Sequence, residues 1–405
     1  MASRTSRGGG REDDEFAATR AHLHGARHLP GYMYTSRDIF EEEIDKIFMR
    51  DWLCVGRVEQ FPEAGDYKAM RIAGEPFIVC RNGRGALNAF SNVCRHRGVE
   101  VAPVGSGNLE EFSCPYHGWL YDLDGKLIGA PFSKEVEDSF DFANCRLNPV
   151  QLDTWEGYVF INFDADAAGL AEFLDDEGVD ICARECRPGE TMIADEYVFD
   201  IECNWKFVPE NLMDIYHAKA IHGDSFAKRF TMDGFGFEIA PGGKYHATYE
   251  SYTMAPDGLP LFDRMPWMKD KGEYYAYTVY VRPTMNFFAR PDVLQPWVCY
   301  PLDVDLTRIV VWTQFAESTF KEPAFAERNK VYADFIRLVA AEDSEMMRSL
   351  QNGVGARKFE PGPTVHLEKA IHHNLNYYLD RMGGEAAAVR CPGGRCSSGR
   401  GAPIP

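Results

Sequence analysis

The chain is 405 residues long, 45% hydrophobic and 13% aromatic, with a formal net charge of −19 at pH 7. That length accommodates two domains with sizeable cores, and the acidic balance argues against nucleic acid and anionic membranes as partners. No run of about eighteen apolar residues is present, so no membrane-spanning helix is expected.

Residues 1–20 are rich in Gly and charge and read as a disordered tail. This start has no apolar stretch of the secretory kind. The eleven Cys show no disulfide-like density, so a reducing cytoplasm is expected. Segment 21–50 reads as helical: Ser36 or Asp38 opens a helix in which Ile39, Phe40, Ile44, Ile47 and Phe48 recur at helical spacing. Residues 51–165 read as short strands and turns, among them Phe77–Cys80, the Asn82-Gly83 turn, Ala86–Phe90, the Asp124-Gly125 turn and Tyr158–Asn162.

Residues 166–382 form a second unit. From about residue 190, strands rich in Tyr, Phe, Val and Trp (274–281, 296–300 and 308–315) alternate with helices, the last two at about 323–350 and 365–381. This pattern predicts an α+β chain: a small all-β domain, then an antiparallel sheet with helices on one side. Cys54, Cys80, Cys145, Cys203 and Cys299 read as small core residues, and no role is assigned to Cys182 or Cys186. Residues 383–405, with Cys391 and Cys396, read as a second disordered tail. His22, His24, His28, His246, His366, His372 and His373 read as ordinary polar residues.

Two constellations carry chemistry. Cys94-Arg95-His96 is followed, seventeen residues on, by Cys114-Pro115-Tyr116-His117-Gly118-Trp119. Two Cys and two His in this order can hold one [2Fe–2S] cluster, with thiolates on one iron and imidazoles on the other. The same four ligands also suit a structural zinc, although zinc sites usually pair Cys with Cys and His with His. Arg95 and Arg97 are either a local positive patch for an acidic electron donor or backbone support. The second constellation runs from Asn204-Trp205-Lys206 through Glu210 and Asn211 to Asp214, His217 and His222, with an acidic helix around Glu342 and Asp343 much later. Two His five residues apart reach one metal if their helix ends or bends between them. Two His and a carboxylate leave open positions on a mononuclear Fe(II).

With both constellations in this order, residues 35–382 resemble the catalytic α subunit of the Rieske non-heme iron oxygenases, the aromatic ring-hydroxylating dioxygenase family. The resemblance implies an all-β Rieske domain and a helix-grip (START-like) catalytic domain on which segment 21–50 packs. It implies that Cys94, His96, Cys114 and His117 bind the cluster. His217, His222 and Asp343 would bind the mononuclear iron, with Glu342 as the alternative carboxylate. Asp214 would bridge His217 to His117 of the partner subunit in a head-to-tail homotrimer, and Asn211 would line the iron pocket. Electrons from NAD(P)H would arrive through a separate flavin reductase or ferredoxin, since no dinucleotide-binding fingerprint is present, and O2 would be the cosubstrate. A small β subunit is left open. Three functions stay in view: aromatic-ring mono- or dihydroxylation, N- or O-demethylation of an amine or ether, and electron transfer alone. Phe287, Phe288, Trp297 and Phe335 are pocket-wall candidates, with plain core as the alternative. Tyr274, Tyr275, Tyr277 and Tyr280 are either a cation–π box for a quaternary amine or strand core.

Overall fold

The computed structural model describes residues 16–135, 138–225 and 235–383. Cys391 and Cys396 lie outside these residues, as does most of each expected disordered tail. Residues 17–20 depart from the expected disorder. They form a helical turn with Thr19 buried and Arg20 paired to Asp380 at 2.7 Å, because the final helix offers them a surface.

In the N-terminal half the strands are β1 (Leu53–Arg57), β2 (Asp66–Ile72), β3 (Glu75–Arg81), β4 (Leu87–Ser91), β5 (Gly105–Asn108), β6 (Phe112–Ser113), β7 (Leu120–Tyr121), β8 (Leu127–Gly129), β9 (Pro149–Trp155) and β10 (Tyr158–Asn162). Seven make one antiparallel sheet in the order β1-β10-β9-β4-β3-β2-β5, and β6, β7 and β8 make a small second sheet. The Cys94/His96 pair falls on the β4–β5 loop, and Cys114/His117 on the β6–β7 turn. A private core of Ile78, Phe90, Phe112, Tyr121 and Leu147 packs behind both loops.

The C-terminal half is built on β11 (Thr191–Ile201), β12 (Glu238–Ala240), β13 (Lys244–Glu250), β14 (Tyr275–Val281), β15 (Met285–Ala289), β16 (Trp297–Asp303) and β17 (Leu306–Ala316). Their order is β11-β17-β16-β15-β14-β13-β12, and neighbours are antiparallel throughout. The long helix Phe325–Val354 and the helix Lys369–Met382 pack with Phe207–Met213 on this unit. The halves are joined by polar ties: buried Arg57 donates to Thr191 O at 2.7 Å, and the Tyr300 hydroxyl donates to Cys54 O at 2.8 Å. Among the described residues no helix is long and apolar enough to cross a membrane.

The helix predicted to open at Ser36 runs Arg37–Glu43, and Ser36 Oγ caps it by accepting from Ile39 N. Its last residue, Glu43, is fully buried. It accepts from Trp205 Nε1 (2.7 Å), the Tyr378 hydroxyl (2.6 Å) and Lys206 Nζ. Lys206 Nζ also lies over the Tyr34, Trp205 and Tyr378 rings at 5.3–5.5 Å. Removing Glu43 would strand a buried ammonium. Glu43→Ala is therefore expected to lower stability by about 3–5 kcal/mol, and Glu43→Gln by less, as read by denaturant unfolding.

Glu210, one turn on, is buried against the Tyr34 hydroxyl (3.0 and 3.1 Å), and burial pushes its carboxyl up from 4.5 to about 7. Folding thus takes up a proton between these values. The stability it contributes is full below about 4.5 and is lost as pH rises through about 7. Glu210→Gln should flatten this slope by on the order of 3 kcal/mol, raising the melting temperature at pH 8 but not at pH 4.5. An unchanged pH profile would refute the assignment.

Candidate metal centres and substrate pocket

The two Cys/His loops are built alike. Cys94 N donates to Val99 O (2.9 Å) and Gly98 N to Cys94 O (3.0 Å), while Cys114 N donates to Trp119 O (2.8 Å) and Gly118 N to Cys114 O (3.0 Å). Each loop closes through a Gly at positive φ, +83° at Gly98 and +70° at Gly118, where a side chain would be strained. Both Cys are buried and both His are exposed. The His96 and His117 rings lie 4.6 Å apart, with His96 stacked on Trp119. The Tyr121 hydroxyl accepts from Arg95 N (3.0 Å) and lies 3.3 Å from Cys94 Sγ, so its proton is free to point at the sulfur.

A single tetrahedral zinc would draw all four donors to within about 4 Å of one another. Among the described residues, His217, His222 and Asp343 are the group of donors that converges within 4.8 Å. Two thiols inside and two imidazoles outside, not converging on one point, fit a two-iron cluster instead. Arg95 and Arg97 are exposed on the same rim; Arg95 reaches Asn148 Oδ1 (2.5 Å), and Arg97 lies over the Tyr116 ring.

The second centre arises where a helix stops. Phe207–Met213 ends at Asp214, whose extended backbone (φ −83°, ψ 93°) breaks the helical path, and a one-turn helix Ala218–Ile221 follows. His217 stands at the start of that turn and His222 at its end. Their Nε2 atoms lie 3.3 Å apart, and Asp343 Oδ1, from the long helix, lies 3.4 Å from His217 Nε2 and 2.9 Å from His222 Nε2. Donor separations of about 3 Å match one face of an octahedron with bonds near 2.1 Å. Two imidazole nitrogens turned on each other beside a carboxylate are the donor set of a cation site.

The surrounding residues hold this triad. Glu342 Oε2 pairs with His222 Nδ1 (2.7 Å) and accepts from Ser225 Oγ (2.7 Å), so Glu342 stands behind the histidine while Asp343 faces the centre. Asn211 Nδ2 donates to Asp343 Oδ1 at 3.3 Å. Asp214 Oδ1 accepts from Tyr216 N (2.8 Å), and its Oδ2 lies 3.3 Å from His217 Nδ1, at an angle outside hydrogen-bond geometry. Gln351 Oε1 accepts from Asn204 N (2.9 Å), which sets the register of the long helix against the segment leading to both histidines.

A cavity of about 790 Å³, including its open mouth, lies over the triad. Its helical wall carries Asn211, His217 and Asp343, and its sheet wall carries Thr278, Phe288, Arg290, Gln295 and Trp297. Of the four expected wall aromatics, Phe288 and Trp297 line the cavity. Phe287 does not, because β15 alternation turns it to the opposite face, and Phe335 is buried in the core elsewhere. The tyrosine box does not form. Tyr275 and Tyr277 lie on the far face of β14, where their hydroxyls reach Glu185 Oε2 (3.3 Å) and Gly178 O (2.6 Å) near buried Cys182 and Cys186. Tyr280 bonds Pro283 O and borders a separate, smaller cavity, and Tyr274 is outside the substrate cavity. Thr278 is the β14 residue that faces in. Phe235, Phe237, Tyr249, Arg290 and Gln295 were not singled out from sequence; their alternation is visible there, but the face that meets the helices is not.

Residues 51–142 match the Rieske [2Fe-2S] domain family, and residues 190–384 match the ring hydroxylating alpha subunit catalytic domain. The chain thus carries a Rieske [2Fe-2S] domain followed by a ring hydroxylating alpha subunit catalytic domain. It is 33% identical over 296 residues to biphenyl 2,3-dioxygenase subunit alpha of Rhodococcus jostii (strain RHA1), covering 65% of this chain and 64% of that protein. It is 26% identical over 361 residues to the carnitine monooxygenase oxygenase subunit of Acinetobacter pittii (strain PHEA-2), covering 86% and 92%. The fold is shared with the quaternary ammonium Rieske monooxygenase CntA in complex with L-carnitine (TM-score 0.74, 24% identity, 91% of this chain and 98% of that one). It is also shared with naphthalene 1,2-dioxygenase from Rhodococcus sp. bound to indole (0.74, 21%, 93% and 98%). A Rieske [2Fe-2S] domain and a ring hydroxylating catalytic domain imply a Rieske cluster and a mononuclear iron, and this chain has one donor set suited to each.

Replacing His217, His222 or Asp343 by Ala should lower bound iron by about one third while the optical and EPR signature of the cluster persists. Full iron retention in all three variants would rule the triad out as the site.

Proposed function

We propose that this chain is the terminal component of an oxygenase that hydroxylates an aromatic ring, once or twice, with residues 51–165 as cluster domain and 166–382 as catalytic domain. The observation that carries this reading is the cavity: aromatic and aliphatic walls enclose one face of the His217/His222/Asp343 triad. When bound, the cluster supplies single electrons and the mononuclear iron, through its open positions, activates O2 beside the substrate.

The protein's part is positional. Cys94, Cys114, His96 and His117 would hold the cluster, the two thiols from beneath and the two imidazoles from the surface. His217 and His222 present Nε2, and Asp343 presents Oδ1. Glu342 fixes the His222 ring through Nδ1, and Asn211 steadies the Asp343 oxygen, the usual work of groups behind a metal ligand. Phe288, Trp297, Phe235 and Leu212 keep water away and offer flat apolar contact to a ring.

His117 is exposed, and Asp214 is partly open with its side chain 21% accessible, so each can meet a second copy. In this reading Asp214 joins His217 to His117 of the partner subunit within a head-to-tail homotrimer, a heterologous contact that closes a ring. Electrons come from a separate flavin reductase or ferredoxin, an acidic donor docking near Arg95 and Arg97, with or without a small β subunit.

Demethylation is the second reading, favoured by the near end-to-end match to the carnitine monooxygenase subunit. Against a quaternary amine stand the absent tyrosine box and the presence of Arg290 in the wall. Iron-loaded protein with a surrogate reductase under ¹⁸O2 decides between them. Labelled phenol or diol from an arene, without formaldehyde, is the expected product. Formaldehyde released in step with loss of a methylated amine or ether would establish the second reading.

A further inference from the structure

The sheet wall of the cavity holds polar groups that the oxygenase chemistry leaves unused. Arg290 is 6% exposed, and no carboxylate pairs with it among the described residues; every permanent charge besides it in the lining, Asp214 and Asp343, belongs to the opposite wall. Its guanidinium has five N–H donors. Nε donates to Tyr252 O (3.3 Å), one N–H of Nη1 to Ala289 O (2.9 Å) and one of Nη2 to Ser251 Oγ (3.3 Å). One N–H on each terminal nitrogen is left over, and an ionised carboxylate is the acceptor a guanidinium N–H bonds most strongly.

Two further donors stand beside it. Gln295 and Thr278 are each 3% exposed, and neither Gln295 Nε2 nor Thr278 Oγ1 has a hydrogen-bond partner among the described residues. Both line the same cavity. Their placement follows from strand register. Thr278 sits directly opposite Phe288, Gln295 N donates to Phe288 O at 2.7 Å, and Arg290 is two residues beyond Phe288 on the same face. A buried guanidinium without a counter-ion, and two buried groups without hydrogen-bond partners, all among the described residues, are each costly. All three costs are relieved by one acceptor that carries a single negative charge.

We propose that the substrate of this oxygenase is a monocarboxylate with an apolar body, its carboxylate held by Arg290, Gln295 and Thr278 on the sheet wall while its body reaches toward His217, His222 and Asp343. A dianion such as phosphate fits less well, because Arg290 is the one permanent cation among the described lining residues. The proposal rests on the reading of this cavity as the substrate site.

The test is equilibrium binding, by calorimetry, of benzoate and 2-naphthoate to the purified holoprotein, each against its primary amide. The acids are expected to bind at least about tenfold tighter than the amides, and Arg290→Gln to erase that preference while Arg290→Lys keeps part of it. Arg290 also ties the Ser251 hydroxyl and Tyr252 O, so Gln295→Leu and Thr278→Val, which remove an Nε2 and an Oγ1 that have no partner among the described residues, serve as independent variants. Each should weaken acid binding severalfold with an unchanged melting temperature. Acids and amides binding alike, no acid binding up to about 10 mM, or a preference untouched in all these variants would each overturn the proposal. Arg290-dependent acid binding with no ¹⁸O in any product would instead overturn the oxygenase reading alone. Oxygenation confined to neutral arenes would overturn this proposal and leave that reading standing.

Discussion

A single buried carboxylate, Glu43, sets the position of everything that approaches the triad. Three donors converge on it from two directions: Trp205 and Lys206 from the segment entering the helix Phe207–Met213, and Tyr378 from the last helix. A buried charge is tolerated where its hydrogen-bonding capacity is met and its counter-ion is close, and here the counter-ion is Lys206, itself wrapped by three aromatic rings. The N-terminal helix is thereby a structural member of the catalytic unit. The helix it anchors is the one that must end where it does for His217 and His222 to face each other.

The triad depends on two terminations and one register. The helix stops at Asp214, a single turn carries His217 and His222 at its two ends, and the long helix supplies Asp343 at the right height because Gln351 bonds the backbone at Asn204. The Asn204-Trp205-Lys206 stretch therefore acts through position. Asn204 ties to Val304 and Gln351, and its two neighbours tie to Glu43. Its side chains stay outside the substrate cavity, yet a shift in any of them would move the donors that the metal needs about 3 Å apart.

The cavity shows a division of labour between its walls. The helical wall carries His217, His222 and Asp343 together with Asp214; the sheet wall carries apolar rings and a buried cationic corner. Strand alternation makes this economical, since one face of β14 and β15 lines the cavity while the other, with Tyr277 and Phe287, packs into core. The cluster loops are arranged on the same principle of inside and outside. Cys94 and Cys114 are buried beneath the loops, while His96 and His117 stand at the surface.

Much of this was legible in the chain. The Cys94/His96 and Cys114/His117 loops are local: their Gly and Cys positions close short backbone hydrogen bonds, so spacing alone specifies them. The strands Glu75–Arg81, Leu87–Ser91, Tyr275–Val281, Trp297–Asp303 and Leu306–Ala316, and both final helices, announce themselves by periodicity that local steric preferences enforce, whereas the strand Met285–Ala289 was not expected. The His217/His222 spacing called for a helix that ends or bends between them; the helix instead ends before both, at Asp214, and a separate single turn spans the two. Tertiary structure decided what spacing could not. Glu342 and Asp343 are adjacent on one helix, and only packing against the histidines determines which of them faces the centre. Tyr277 or Thr278, and Phe287 or Phe288, are equally good strand residues, and the face that becomes a wall is chosen by where the long helix lies. Arg290 and Gln295 are unremarkable in sequence; their chemistry appears when the fold buries them together with too few partners. Local geometry is written in neighbouring residues, whereas burial and partnership are properties of elements brought together from far apart in the chain.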